Sequence, residues 1–176
     1  MQGQVLLELA RGTLREAFGG PKVAVPDHAW LFEKKAVFVT LHKHGELRGC
    51  VGQLAARFPL YESVRHAAKA AAFHDGRFPP LDVSELEQVH IEISVLSALE
   101  ALDVATEAEA LAAIRPGVDG VVLTHGLRSG VFIPEMWKQL PDPNQFLFHL
   151  KRKAGLPQAW QPGTRVERFT AEVWAE

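Results

Sequence analysis

The sequence has 176 residues, 47% of them hydrophobic and 23% charged, with 21 acidic side chains against 19 basic ones and a net charge of −2. Those proportions describe an ordinary globular chain, large enough for one domain or two lobes, without the basic footprint of a non-specific nucleic-acid binder. Its single cysteine, Cys50, excludes an intrachain disulfide, a Cys-x-x-Cys redox pair and every zinc or iron–sulfur site that needs several thiolates.

Residues 4–18 place Leu6, Leu9, Ala10, Thr13, Leu14 and Ala17 at helical spacing, and Gly19-Gly20 offers the left-handed stop that residues with a Cβ resist. Glu8 and Arg11 interrupt the chain before any signal-peptide core forms, and no stretch approaches the ~18 uninterrupted apolar residues of a membrane span. With a lone unpaired thiol, the expected location is the cytoplasm. Ala36–Leu41 is rich in β-branched and apolar residues, His44-Gly45 supplies a tight turn, and Leu47–Gly52 follows, which together predict a hairpin. Leu60–Phe73 carries Leu60, Val64, Ala67, Ala68 and Ala71 on one stripe, the pattern of a buried helix. It ends at Asp75-Gly76-Arg77-Phe78-Pro79-Pro80, where two prolines hold the chain extended.

Val89, Ile91, Ile93 and Val95 alternate with polar neighbours, the period-2 signature of a strand with one apolar face. A short helix over 107–114 leads to a second hairpin, strands 120–123 and 130–133 around a loop at 124–129. Asp142-Pro143 is an N-cap followed by proline at the first helical position, opening a helix with Phe146, Leu147, Leu150 and Ala154 on its apolar stripe. Residues 166–174 alternate as one closing strand. Mixed helices and hairpins, with no internal repeat, predict an α+β fold of mostly antiparallel sheet with flanking helices.

Three sets of residues invite chemistry. In an unbroken strand Arg48 and Cys50 share a face, and a guanidinium beside a thiol favours the thiolate that a nucleophile or redox sensor needs. Gly49 and Gly52, lacking side chains, would let a substrate or partner backbone come close. The competing reading makes Cys50 a small buried hydrophobe and the glycines bulge positions. Glu92 and Ser94 share the polar face of their strand, where Glu92 would act as a base or pair with Arg48, or simply meet water. Asp75 and Arg77 are spaced for a local ion pair, and Arg77 also suits a carboxylate or phosphate, with a helix stop as the plainer reading. His42 and His44 share a strand face only if the turn allows it, and no further ligand has suitable spacing, so no metal site is expected.

Leu47-Arg48-Gly49-Cys50-Val51-Gly52 resembles the six-residue signature of the AMMECR domain family, known in prokaryotes as AmmeMemoRadiSam system protein A. The likeness continues in order through Asp75-Gly76-Arg77-Phe78-Pro79-Pro80-Leu81, Ile91–Leu96, Gly130–Pro134, Phe146-Leu147 and Lys153–Leu156. Gly76 stands where the family often has proline and Val51 where it often has isoleucine; neither change removes a reactive group. The resemblance implies two unequal lobes, a larger one of about 1–96 plus 135–176 holding both termini and a smaller one of about 97–134, with the signature lining a groove between them.

Its implied function is unsettled: a cytoplasmic enzyme or enzyme-complex component using Cys50, with Arg48 as activator or anion holder and Glu92 as base. Gly49, Gly52, Asp75, Arg77 and Ser94 are the candidate binding residues. The alternative is a non-catalytic adaptor that docks a Memo-like or radical-SAM partner by backbone pairing. Neither partner's cofactor is expected in this chain, which has no three-cysteine motif and no evident iron ligands.

Overall fold

The apolar faces read from the sequence find their partners in a computed structural model that describes residues 1–176. Its elements, in chain order, are α1 (Gln2–Ala17), β1 (Ala36–Lys43), β2 (Glu46–Gly52), α2 (Leu60–Phe73), β3 (Val89–Leu96), β4 (Glu100–Ala101), α3 (Glu107–Ala113), β5 (Gly120–His125), β6 (Arg128–Phe132), α4 (Pro143–Lys153), β7 (Arg165–Phe169) and β8 (Ala171–Ala175). Short 3-10 turns at Ala29–Phe32, Val83–Glu85 and Pro134–Lys138 join them. The fold is α+β, with two four-stranded sheets, ordered β2-β1-β3-β8 and β4-β7-β5-β6. No helix is long and apolar enough to cross a membrane.

The chain divides into two compact units, Met1–Leu96 with Glu172–Glu176, and Ser97–Ala171. In the first, one face of the sheet carries Val37, Val39, Leu41, Ile91 and Ile93 against Leu6, Leu9 and Leu14 of α1 and Val64, Ala68 and Ala71 of α2. Each fully buried Leu or Ile there contributes about 1.5–3 kcal/mol. Helix α1 stops where Gly19 adopts φ +88°, a conformation that costs glycine nothing. His44 and Gly45, with φ of +52° and +79°, form the two-residue turn whose twist suits the β1–β2 hairpin.

In the second unit, Phe146, Leu147 and Leu150 of α4 share a core with Ile114, Val121, Leu123, Phe132 and Val166. Trp137 stacks on Phe146 with ring centroids 3.8 Å apart and donates its indole N–H to the carbonyl of Asp119 at 2.7 Å. The fully buried Asp119 carboxylate is in turn paired with Arg115 at 2.7 Å.

Three expectations change. Residues 135–171, expected in the larger lobe, group with 97–134 in the second unit, whose apolar core takes seven of its twelve buried residues from 137–166. The closing strand is two strands in different sheets: Thr170 leaves both ladders and exchanges hydrogen bonds with Ser97, its N–H donating to the Ser97 hydroxyl and its carbonyl accepting from the Ser97 N–H. The second hairpin is longer than read, since Gly126 takes φ +60° and turns the chain directly between His125 and Arg128.

Candidate functional site

Strand β2 lies at the edge of the first sheet and pairs only with β1. Its register runs Phe38 with Gly52, Thr40 with Cys50 and Leu41 with Gly49, then slips, so that His42 faces Leu47 and Arg48 is the extra residue of a bulge. The unbroken strand that would set Arg48 beside Cys50 is therefore absent. Arg48 is buried and forks onto Glu85, Nε and Nη2 each donating to one carboxylate oxygen at 3.0 Å, with a further bond from Nη2 to the Pro79 carbonyl at 2.9 Å. Its carboxylate partner is Glu85, not Glu92. The pairing holds the Glu85 carboxyl down at about 2, with the Asp82 N–H and Lys43 also bonding to it. Arg48 is thus a structural clamp rather than the activator of the thiol.

Gly49 and Gly52 also serve the chain itself. A Cβ on Gly49 would overlap the Ala71 carbonyl oxygen at the end of α2, and one on Gly52 would overlap Val37 and Phe38. The backbone that approaches Gly49 is that of α2, not a substrate's.

Asp75 and Arg77, by contrast, come to Cys50. As an edge residue in a pair with Thr40, Cys50 turns its N–H and carbonyl outward. The N–H donates to Asp75 Oδ2 at 3.0 Å and the carbonyl accepts from Arg77 Nη2 at 3.4 Å. Arg77 and Asp75 pair at 2.7 Å, the arginine side chain 59% exposed and the aspartate 6%. The Arg77 guanidinium holds the Asp75 carboxyl well below the usual carboxylate range, so the clip is charged at neutral pH. Phe78 lies between the two arginines, its ring centroid 5.9 Å from the Arg48 guanidinium carbon and 5.5 Å from that of Arg77.

The face of the sheet opposite the helices brings together several of the candidate groups. Thr40 pairs with Cys50 on one side and with Glu92 on the other, so the three side chains form a row across β2, β1 and β3. The next row is Gly52, Phe38 and Ser94, and the one on the other flank includes His42 and His90. Thr40 and Ser94 are buried, and Cys50 is half-buried. The Thr40 hydroxyl donates to Cys50 Sγ at 3.2 Å. Burial pushes the thiol above its ordinary value; the Thr40 bond and Arg77 pull it down, and Asp75 and Glu92 push it up. At neutral pH the resting group is therefore the thiol. Two residues of this arrangement were not singled out from sequence: Thr40, although period 2 puts it on the polar side of its strand, and Glu85, whose role has no local signal.

What fold and site define is a two-unit α+β chain with a thiol, a hydroxyl and a carboxylate in one row on a sheet face. The chain belongs to the AMMECR1 family, whose model matches residues 7–174. It is 37% identical to a protein of Methanothermobacter thermautotrophicus, over 99% of this chain and 94% of that one, and 33% identical to protein MJ0810 of Methanocaldococcus jannaschii, over 99% and 90%. The crystal structure of an uncharacterised protein of Pyrococcus horikoshii, PH0010, shares the fold with a TM-score of 0.90 at 34% identity, over 99% of this chain and 91% of that one.

Proposed function

We propose that the chain is an enzyme, or the catalytic component of an enzyme complex, whose reacting group is Cys50. The observation that carries this reading is the Thr40 hydrogen bond to Cys50 Sγ within a row that ends at Glu92. A hydroxyl donor beside the sulfur and a carboxylate on the same sheet face are groups that nucleophilic catalysis by a thiol uses. In this reading sulfur attacks an electrophilic carbon of the substrate, the S–C bond forms as the thiol proton passes through the intervening Thr40 hydroxyl to Glu92, and the displaced electron pair moves onto the substrate's heteroatom. Asp75 and Arg77 act as positioning residues by fixing the Cys50 backbone, and the exposed Arg77 guanidinium suits an anionic group on the substrate. Ser94 lines the neighbouring row.

Iodoacetamide alkylation of Cys50 across pH tests the electrostatics of this site. The midpoint should lie above the ordinary cysteine value of about 8.5, and Glu92→Gln should lower it, because removing a carboxylate removes a charge that opposes the thiolate. A Glu92→Gln midpoint identical to that of the parent protein would refute the electrostatic influence of Glu92 on the Cys50 thiol, and with it the role of Glu92 as its base. The adaptor reading, with a Memo-like or radical-SAM partner adding a strand to β2, meets an obstacle. The outward N–H and carbonyl of Cys50 are already bonded to Asp75 and Arg77.

A further inference from the structure

We propose that a cavity at the Gly52 end of β2 binds a single heteroaromatic ring with a hydrogen-bonding edge, of the pyrimidine or pyridine-carboxamide type. The cavity has a volume of about 130 Å³ and lies between the first strands and α2, on the helix-covered side of the sheet where Val37 and Val51 point. Cys50 alternates to the other face, so this site is independent of the one above.

Size and chemistry together select the occupant. Alanines Ala36, Ala67 and Ala70 line the cavity, and the absence of larger side chains is what leaves it open. Apolar cavities of about 150 Å³ accept one benzene ring, so this one is matched in size by a monocycle. One wall is the Phe58 ring, 38% exposed, with the His66 ring set perpendicular to it at 5.5 Å, forming a corner of two aromatic surfaces. That wall is pinned. Just after Phe58, Pro59 bridges to Lys34, and the Leu60 N–H donates to the Glu33 carbonyl at 2.8 Å. A preformed wall lowers the ordering cost of binding.

The remaining lining is polar, with Gln53 and His66 at the exposed mouth. Neither the Gln53 carboxamide nor the His66 imidazole is hydrogen-bonded within the chain, and the Ser63 hydroxyl, which donates to the Lys35 carbonyl at 3.1 Å, keeps lone pairs to accept. A carboxamide offers a donor and an acceptor side by side, matching the adjacent acceptor and donor on a uracil or nicotinamide edge. An aliphatic ligand would gain no hydrogen bond from any of the three groups.

Titration of the isotope-labelled protein with uracil and with nicotinamide, followed by NMR, tests this and separates the two ring types. Saturable shifts at Phe58, His66 and Ala70 with either probe are expected, with adenine and indole binding at least about tenfold more weakly. Ala70→Phe, which fills the cavity from a half-exposed position, should abolish binding. Gln53→Ala, on the exposed rim, should weaken the preferred probe by about tenfold while leaving toluene unaffected. The proposal is overturned if neither monocycle gives saturable shifts, if adenine binds as well as they do, or if Gln53→Ala leaves their affinity unchanged.

Discussion

Gly49 shows how one residue is held in place by what approaches it. A β2 strand that packed side chain to side chain against α2 would accept alanine at that position. Here the carbonyl of Ala71 occupies the space of a Cβ. Gly49→Ala should therefore destabilise the protein by about 2–3 kcal/mol, the range expected of an overpacked core, measured by denaturant unfolding. A change within 0.5 kcal/mol would mean that α2 moves away without cost. The same substitution distinguishes packing from catalysis, since the Cys50 side chain lies on the opposite face. Cys50 itself was legible as a candidate from its neighbours in sequence, but its protonation state was not. The four side chains that act on it come from two other strands and a loop.

At the scale of elements, the bulge in β2 decides what Arg48 does. It shifts Arg48 out of the alternating pattern and into a fork with Glu85, in the turn that leads to β3. Lys43 joins the same carboxylate at 2.9 Å, so strands β1 and β2 are both tied to that turn. Arg48 Nη1 is buried without a hydrogen-bond partner, which makes the guanidinium dependent on Glu85 for compensation. Glu85→Gln should cost about 3–5 kcal/mol by denaturant unfolding, since it strands a buried cation. The pH dependence has a definite sign. A carboxyl held down at about 2 stabilises the fold fully above its ordinary value near 4.5, and that stabilisation is lost as pH falls through this window. The Glu85→Gln variant should lack that part of the acid transition.

For the whole molecule, the two units have separate cores, and their stabilities should respond to separate substitutions. Trp174 of β8 packs over Gly3 of α1, where any Cβ would collide with the indole, and Arg11 of α1 pairs with Glu176. Residues far apart in sequence are thereby neighbours in one unit. Trp174→Ala should reduce hydrogen-exchange protection in α1 and β3 and leave β5 to β7 protected, at a cost of about 2–3 kcal/mol for a half-buried aromatic. Phe146→Ala should do the reverse and cost about 3–5 kcal/mol, because its ring is fully buried beneath Trp137. Equal loss of protection in both units from either change would show that they unfold as one.

Local pattern was enough for the elements. Spacing in 60–73, alternation in 89–96 and the Asp142-Pro143 cap each specify their own stretch of backbone, because helical and strand periods are set by neighbouring residues. The motif residues that family resemblance marked, Cys50, Glu92, Asp75 and Arg77, do converge on one strand and its neighbours. Only the tertiary structure decided their partners. A bulge, a strand broken at Thr170 and a glycine that meets a helix carbonyl are properties of register and packing between distant segments, and no window of sequence contains both sides of such a contact. For that reason the arginine two residues before the thiol in sequence turned to a distant glutamate, and the one 27 residues away reached the thiol's backbone.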